Sequence, residues 1–210
     1  MNNFCTFCGT IIPEGRLVCP ECVKKVGELG DIYSERFSIQ SIVFPSFNSN
    51  PDGISADLFF KGCKIHCKGC HNKELQEFGQ LNTSVNDILR AVQKNNVQIL
   101  TLMGGEPLDI DIIVLIDLLR LLKTNVPALK ISLFTGYALS KLSISILQYL
   151  DYIKVGSYDE TQLSPYGSFL ASKNQKFYKI VCKDFAKNTV TLREYNGRTY
   201  EDKDFILYLK

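Results

Sequence analysis

Three cysteines, Cys63, Cys67 and Cys70, stand in the stretch FFKGCKIHCKGCHN, with three and then two residues between them. Thiolates this close on one loop can share a metal centre. Three of them leave one place of a four-ligand set open, and two chemistries compete for it. One is a four-iron cluster whose remaining iron is free to bind a substrate or cofactor. The other is zinc on three thiolates, completed by His66 or His71, since catalytic zinc takes three protein ligands. Farther along, MGGEP carries Gly104, Gly105 and Glu106. Its glycines let a ligand approach the backbone closely, and the Glu106 carboxylate can accept hydrogen bonds from an ammonium group. An amino-acid-like ligand on an open iron fits both features.

A second set of thiols lies near the N-terminus. CTFCG and CPEC place Cys5, Cys8, Cys19 and Cys22 as two C-x-x-C pairs with ten residues between them. Each pair can wrap a short turn around one ion, with Gly9 and Pro20 suited to the turns. Four thiolates in two pairs make the closed tetrahedral site of a structural zinc ribbon. A rubredoxin-type iron or a second iron–sulfur cluster is the rival on ligand softness. So short a segment buries little core, and metal would supply its folding energy. A connector follows, and a boundary near Tyr33 divides the chain into a metal-binding segment, 1–33, and a main domain, 34–210.

Disulfides are the other use of eight cysteines. Seven of them fall in tight clusters and only Cys182 stands alone, a pattern of metal ligands in a reducing compartment. Cys182 sits in an apolar stretch and reads as a small buried hydrophobe. The 210 residues suit one domain with a small appendage, and 45% apolar with 22% charged residues is ordinary for a soluble globular chain. A net charge of +2 gives no basic field for nucleic acid. The aliphatic run Ile112–Ile116 is far too short to span a bilayer, and the polar N-terminus carries no apolar signal region. A cytoplasmic protein with no nucleic-acid or membrane partner is expected.

The elements that must position these residues alternate from about Ser55. ISADLFF is a strand that meets the cysteine loop. Ser84 to Asn95 places Val85, Ile88, Leu89 and Val92 on one helical face, capped by Thr83 or Ser84. VQILTL is a buried strand that meets MGGEP. IDIIVLIDLLRLLK is an apolar helix with a narrow polar face at Asp117, Arg120 and Lys123. LKISLF meets TGY, LSKLSISILQYL reads as a further helix, and YIKV meets GSYDE. Strands separated by helices of this length imply βαβ units and a parallel sheet. Each unusual motif begins where a strand ends, so four motifs converge on the strands' C-terminal edge, where α/β active sites sit. After that, KFYKIVC and TVTLREYNGRTYEDKDFILYL read as strands, with Asn196-Gly197 as a hairpin turn.

Taken together, the cysteine spacing and the GGE at the next strand edge resemble the radical S-adenosylmethionine superfamily. FFKGCKIHCKGCHN, GGEP, FTGY, LDYIKVGSYDE and SKNQKFYKI resemble, in the same order, the motifs of its small activating enzymes for anaerobic ribonucleotide reductases. The resemblance covers about Ser41 to Val181. It implies an α/β fold, a partial (β/α) barrel of the radical S-adenosylmethionine type, here with the small four-cysteine zinc ribbon added. It implies a [4Fe–4S] cluster on Cys63, Cys67 and Cys70, with the amine and carboxylate of S-adenosylmethionine on the open iron. Reductive cleavage of the sulfonium C–S bond then yields a 5′-deoxyadenosyl radical, which takes hydrogen from a glycine of the partner reductase. A one-electron donor such as flavodoxin or ferredoxin is implied as well. Gly104, Gly105 and Glu106 would contact the methionine amine, and Thr135, Gly136 and Tyr137 would lie beside the cofactor.

The chain departs from that pattern at Val155-Gly156-Ser157, where relatives often carry Asp-Gly-Lys. An acid and a cation for the cofactor's ribose and carboxylate are then missing, and Lys154, on the opposite face from Val155 by strand alternation, is the candidate replacement. His66 reads as solvent-facing, His71 and Asn72 as loop-shaping, and Tyr158 and Tyr166 as packing groups. Asn174 and Gln175 either satisfy backbone or touch the partner. Two other functions compete with the activase: radical chemistry on a small molecule such as a pterin in deazapurine synthesis, and a non-enzymatic, zinc-stabilised binding module.

Overall fold

Four strands carry the motifs, and in the computed structural model they lie side by side. Residues 35–165 and 168–209 are described, together with the backbone of two short paired strands, β1 (Asn3–Phe4) and β2 (Ile11–Ile12). Cys5, Cys8, Cys19, Cys22 and Tyr166 lie outside the described residues. The remaining strands are β3 (Arg36–Phe37), β4 (Ile39–Ser46), β5 (Ser55–Phe60), β6 (Thr83–Ser84), β7 (Ile99–Gly104), β8 (Lys130–Phe134), β9 (Tyr152–Val155), β10 (Lys176–Asp184), β11 (Thr189–Tyr195) and β12 (Tyr200–Tyr208). One eight-stranded sheet runs in the order β12-β11-β10-β9-β8-β7-β5-β4. Its centre, β5-β7-β8-β9, is parallel. β4 closes one side antiparallel, and the β10–β12 meander extends the other. The sheet is therefore mixed and open, with β4 and β12 at its two edges.

Parallel neighbours that follow one another in sequence need crossovers on one face, because such connections are right-handed. The helices supply them. α1 (Val85–Lys94) starts at Ser84, whose side chain accepts from Asp87 N (3.2 Å) while Asp87 accepts from Ser84 N (2.9 Å), a reciprocal capping box. Its Val85, Ile88, Leu89 and Val92 are all buried, as their spacing predicts. α2 (Ile112–Asn125) is capped by Asp111, which accepts from Ile113 N (2.8 Å). The polar stripe on α2 is an anchor. Asp117 is 2% exposed and accepts from Arg120 (3.1 Å), while Lys123 donates to Leu129 O (2.7 Å) and Asp151 (2.6 Å).

The third crossover differs from its expected single helix. LSKLSISILQYL folds as a short 3₁₀ turn, Leu139–Lys141, then α3 (Ile144–Leu147). Ser143 sits extended between them (φ −86°, ψ 157°) and makes no side-chain cap. β-Branched Ile144 and Ile146 alternating with serines give a helix little intrinsic support. Burial of Leu142, Ile146, Leu147 and Leu150 holds the segment instead.

The helices cover one face of the sheet, where Leu58, Phe60, Leu100, Leu102, Ile131, Leu133, Ile153 and Val155 form one core with α1 and α2. The other face is not apolar throughout. Asp57, Thr101, Ser132 and Tyr152 stand in register across β5, β7, β8 and β9, all buried. In the tail, Asn196 Oδ1 accepts from Arg198 N and Thr199 N (3.0 Å each), and Gly197 takes φ +97°, as the hairpin signal predicts. Cys182 is exposed on β10, against the expectation of a buried thiol. No helix among the described residues is long and apolar enough to cross a membrane.

Candidate cluster and cofactor site

β5 ends at Phe60 and the chain enters the cysteine loop. Gly62 N donates to Leu75 O (2.8 Å) and Cys63 N to Gln76 O (2.9 Å), so the returning segment ties the loop at its base. Cys70 N donates to Cys67 O (3.2 Å). Between them Gly69 has φ +71°, and a Cβ there would meet Glu160 Oε2 at 2.3 Å. Glu160, from the segment after β9, also pairs with Lys68 (2.8 Å). The three thiols are half-buried and line one cavity. Burial pushes the Cys67 thiol up, a backbone N–H of Tyr158 offsets this, and the nearby Cys63 and Cys70 push it further up. His66 is exposed, with φ +51°, and its ring meets Gln76 Oε1 only at 3.4 Å. His71 packs its ring on Tyr158 (centroids 4.9 Å) at the cavity wall.

The glycines of MGGEP serve a contact within the protein. A Cβ on Gly105 would meet Gly62 O at 2.2 Å, and one on Gly104 would meet Phe60 O at 2.7 Å. What approaches so closely is the start of the cysteine loop itself, fixed by Gly105 N to Phe60 O (2.8 Å) and Glu106 N to Gly62 O (2.7 Å). The loop and the GGEP turn are thus one welded unit.

Glu106 is 2% exposed. Its Oε1 accepts from Leu108 N (3.0 Å) and its Oε2 from Gly136 N (2.8 Å), so the carboxylate bridges the turns after β7 and β8. Burial raises its pKa to about 7 against the pull of those two N–H donors. The Thr135 hydroxyl donates to the same carboxylate, and of its four acceptor sites one is left for an ammonium donor. In the TGY turn, Thr135 Oγ1 accepts from Tyr137 N (3.0 Å), and Tyr137 OH donates to Asp109 (2.7 Å), which raises the phenol to about 12.

Lys154 lies on the cavity side of β9 and Val155 in the core, as strand alternation predicts. Its Nζ sits over the Phe134 ring, 4.9 Å from the centroid, and burial lowers its pKa to about 8. It is the one lysine or arginine among the described residues lining this cavity. The cavity also brings together Gly104, Gly105, Glu106, Thr135 and Gly136 with the three thiols. Tyr137 is absent from that lining and acts through Asp109. Gln175 accepts from Ala171 N (3.1 Å) and donates to Gly156 O (3.1 Å), and Asn174 donates to Ser157 O (2.8 Å), so both satisfy backbone. Asp109 and the wall residues Phe134 and Met103 went unread in the sequence. An acid three residues after Glu106, still within the strand-edge turn, was the available signal for Asp109.

Residues 49–178 match the 4Fe–4S single cluster domain family. A relative from Haemophilus influenzae, an anaerobic ribonucleoside-triphosphate reductase-activating protein, is 30% identical over 147 residues, covering 65% of this chain and 95% of the relative. The protein of the same name from Enterobacteria phage T4 is 31% identical over 147 residues, covering 65% of this chain and 90% of its own. This chain belongs to that family. A solved structure of QueE from Escherichia coli is a looser likeness, 15% identical with a TM-score of 0.42, covering 56% of this chain and 69% of that one. The matched span, 49–178, leaves both the N-terminal cysteine pairs and most of the meander outside it.

The residues present fit a cluster better than a single ion. Among the described residues no three His, Cys, Asp or Glu side chains converge as one ion requires. Three thiols lining one cavity, in a chain that matches the single-cluster family, suit a centre whose irons are separate.

Proposed function

We propose that this protein is the radical S-adenosylmethionine activase of an anaerobic ribonucleotide reductase, with Cys63, Cys67 and Cys70 holding a [4Fe–4S] cluster. The observation that carries this reading is the meeting of those three thiols with the GGEP and TGY turns and Lys154 on one cavity, in a member of the activating-protein family. When bound, the cluster supplies the electron that splits the sulfonium of S-adenosylmethionine, giving the radical that abstracts a glycine hydrogen from the partner.

The chain's own residues receive and shield the cofactor. The GGEP turn, with Glu106, faces the methionine amine. Lys154 offers a half-buried cation to the carboxylate and stands in for the cation missing at Ser157. Thr135 and Gly136 lie beside the cofactor, and Phe134 and Met103 keep water from the reacting carbon. The sheet reads as part of a (β/α) barrel, with the polar face inward.

Cys5, Cys8, Cys19 and Cys22 form a separate zinc site in the segment 1–33, which serves docking of the partner or of a flavodoxin- or ferredoxin-like donor in the cytoplasm. The test combines anaerobic reconstitution, S-adenosylmethionine, dithionite and an anaerobic ribonucleoside-triphosphate reductase. A glycyl-radical doublet in electron paramagnetic resonance is the expected result. Cofactor cleavage without a radical on any such reductase would reject the partner. A chain cut to residues 35–210 should keep uncoupled cleavage and its iron while losing zinc. Loss of iron on that cut would reject the two-site division.

A further inference from the structure

Asp109 joins three loops at the site, and no motif reading assigns it a role. It sits in the 3₁₀ turn Pro107–Asp109 that follows Glu106. Its Oδ2 accepts from Lys64 N at 2.6 Å, the first amide after the ligand Cys63. Its Oδ1 accepts from Tyr137 OH at 2.7 Å. One carboxylate thus pins the cysteine loop, its own GGEP turn and the TGY turn together. The contact is charge-assisted at both oxygens, the stronger class of hydrogen bond.

We propose that Asp109 is a positioning residue that holds the first turn of the cluster loop and keeps the cluster's reduction potential low. This rests on the assignment of the cluster to Cys63, Cys67 and Cys70. Two physical effects act in the same direction. Cluster potentials rise with N–H donation to the sulfurs and fall with added negative charge nearby. The Lys64 amide, spent on Asp109, is withheld from the Cys63 sulfur, and the carboxylate adds a negative charge beside the loop. The Cys63 amide is likewise spent, on Gln76 O (2.9 Å), and that of Cys70 on Cys67 O (3.2 Å). The amides of Cys63, Lys64 and Cys70 are therefore turned away from the thiolates, while the N–H groups of Tyr158 and of Cys67 itself reach the Cys67 sulfur. A low potential is what a cluster that must reduce a sulfonium needs. The Tyr137 hydroxyl moderates the effect by drawing on the same carboxylate.

The experiment is an anaerobic redox titration of the loaded full-length protein, followed by electron paramagnetic resonance, with iron and sulfide counted first. Asp109→Asn keeps the shape and one acceptor. It should load a full cluster and reduce more readily, on the order of tenfold at fixed potential, or about 59 mV upward for one electron. Tyr137→Phe should move the midpoint the other way by a smaller step, since the carboxylate then gives its charge undivided. A brace with only a structural role would lower loading and leave the midpoint in place. An unmoved midpoint in loaded Asp109→Asn overturns the inference. Should Asp109→Asn fail to load, Tyr137→Phe decides: a downward shift supports the inference and an unchanged midpoint overturns it. Failure of the wild-type protein itself to load four irons would strike the cluster assignment, a separate result.

Discussion

The two faces of the central sheet are built from the same four strands and do opposite work. On the helix face, Leu58, Leu100, Leu102, Ile131, Leu133 and Ile153 are fully buried among aliphatic neighbours. On the other face the same strands present Asp57, Thr101, Ser132 and Tyr152 in one row, with Phe59, Met103, Phe134 and Lys154 nearer the C-terminal edge. Close packing decides the first face, and it tolerates no chemistry. The second carries hydroxyls, a carboxylate and an amine at positions a stability-driven core would give to Leu or Val. Stability and function are thus divided by the strand's two-residue period. The thiol loop and its turns sit where the second face reaches the strands' ends.

The sharpest way to break this division is at the loop. Cys67→Ala should abolish cluster loading and its thiolate-to-iron absorption while leaving the circular dichroism and melting of the metal-free protein near wild type. The thiol is half-buried in a loop held by backbone bonds that the substitution does not touch. Cys182→Ser, on an exposed thiol of β10, should leave loading whole. If Cys67→Ala also unfolds the chain, the loop belongs to the stability side and the division fails.

The reverse experiment strikes the helix face. Leu102→Ala removes a side chain with no exposed surface, and large-to-small core changes of this kind cost about 2–5 kcal/mol. Chemical denaturation should find that loss, with an unchanged iron count in the protein that remains folded. Lost loading at full stability would mean the faces are coupled.

Next come Glu106 and Lys154, which differ in how far sequence showed them. Both motif and cation were legible, because a strand-edge carboxylate and an alternating lysine are properties of type and position. The brace was not. That Glu106 ties Gly136 N to Leu108 N, and that Gly104 and Gly105 admit the cysteine loop at close range, depends on which loop packs on which. The third crossover misled for a related reason: its leucine and isoleucine spacing is helical, but Ser143 and the β-branched isoleucines break it, and tertiary burial holds what is left. Binding of S-adenosylmethionine to loaded protein separates the two residues. A charge-assisted contact is worth about 1.5–3 kcal/mol, so Glu106→Gln and Lys154→Met should each cost roughly tenfold or more in affinity, as 1.4 kcal/mol is tenfold.

Their protonation gives the pair opposite signs. With its pKa raised to about 7, Glu106 gains its charge as pH rises through that value, and binding should strengthen there. Lys154, lowered to about 8, loses its charge above that value, and binding should weaken. Affinity measured by calorimetry should therefore peak between about 7 and 8. Glu106→Gln should flatten the acid side alone and Lys154→Met the alkaline side alone. A profile that keeps both limbs in either variant would remove that residue from the site.

The smallest effect tests the polar row itself. Thr101 is fully buried on β7, and its hydroxyl has no hydrogen-bond partner among the described residues; the Ser132 hydroxyl beside it in register is in the same position. At the end of the row toward the sheet's edge, Asp57 is served by Ser49 and by Ser55 (2.9 Å), and at the other end Tyr152 donates to Asp52 (2.7 Å). The row is satisfied at its ends and open in its middle. Leaving a buried hydroxyl unpaired costs about 1–3 kcal/mol, whereas an apolar group of the same shape avoids the cost. Thr101→Val keeps the branched shape that suits a strand and should stabilise the metal-free protein by on the order of 1 kcal/mol. Denaturant midpoints at constant slope would measure it. A loss of stability in Thr101→Val would mean that buried water completes the row, since such water is costly to remove. The second face would then be a connected polar layer from Asp57 to Tyr152, and its hydroxyls would belong with the stabilising groups.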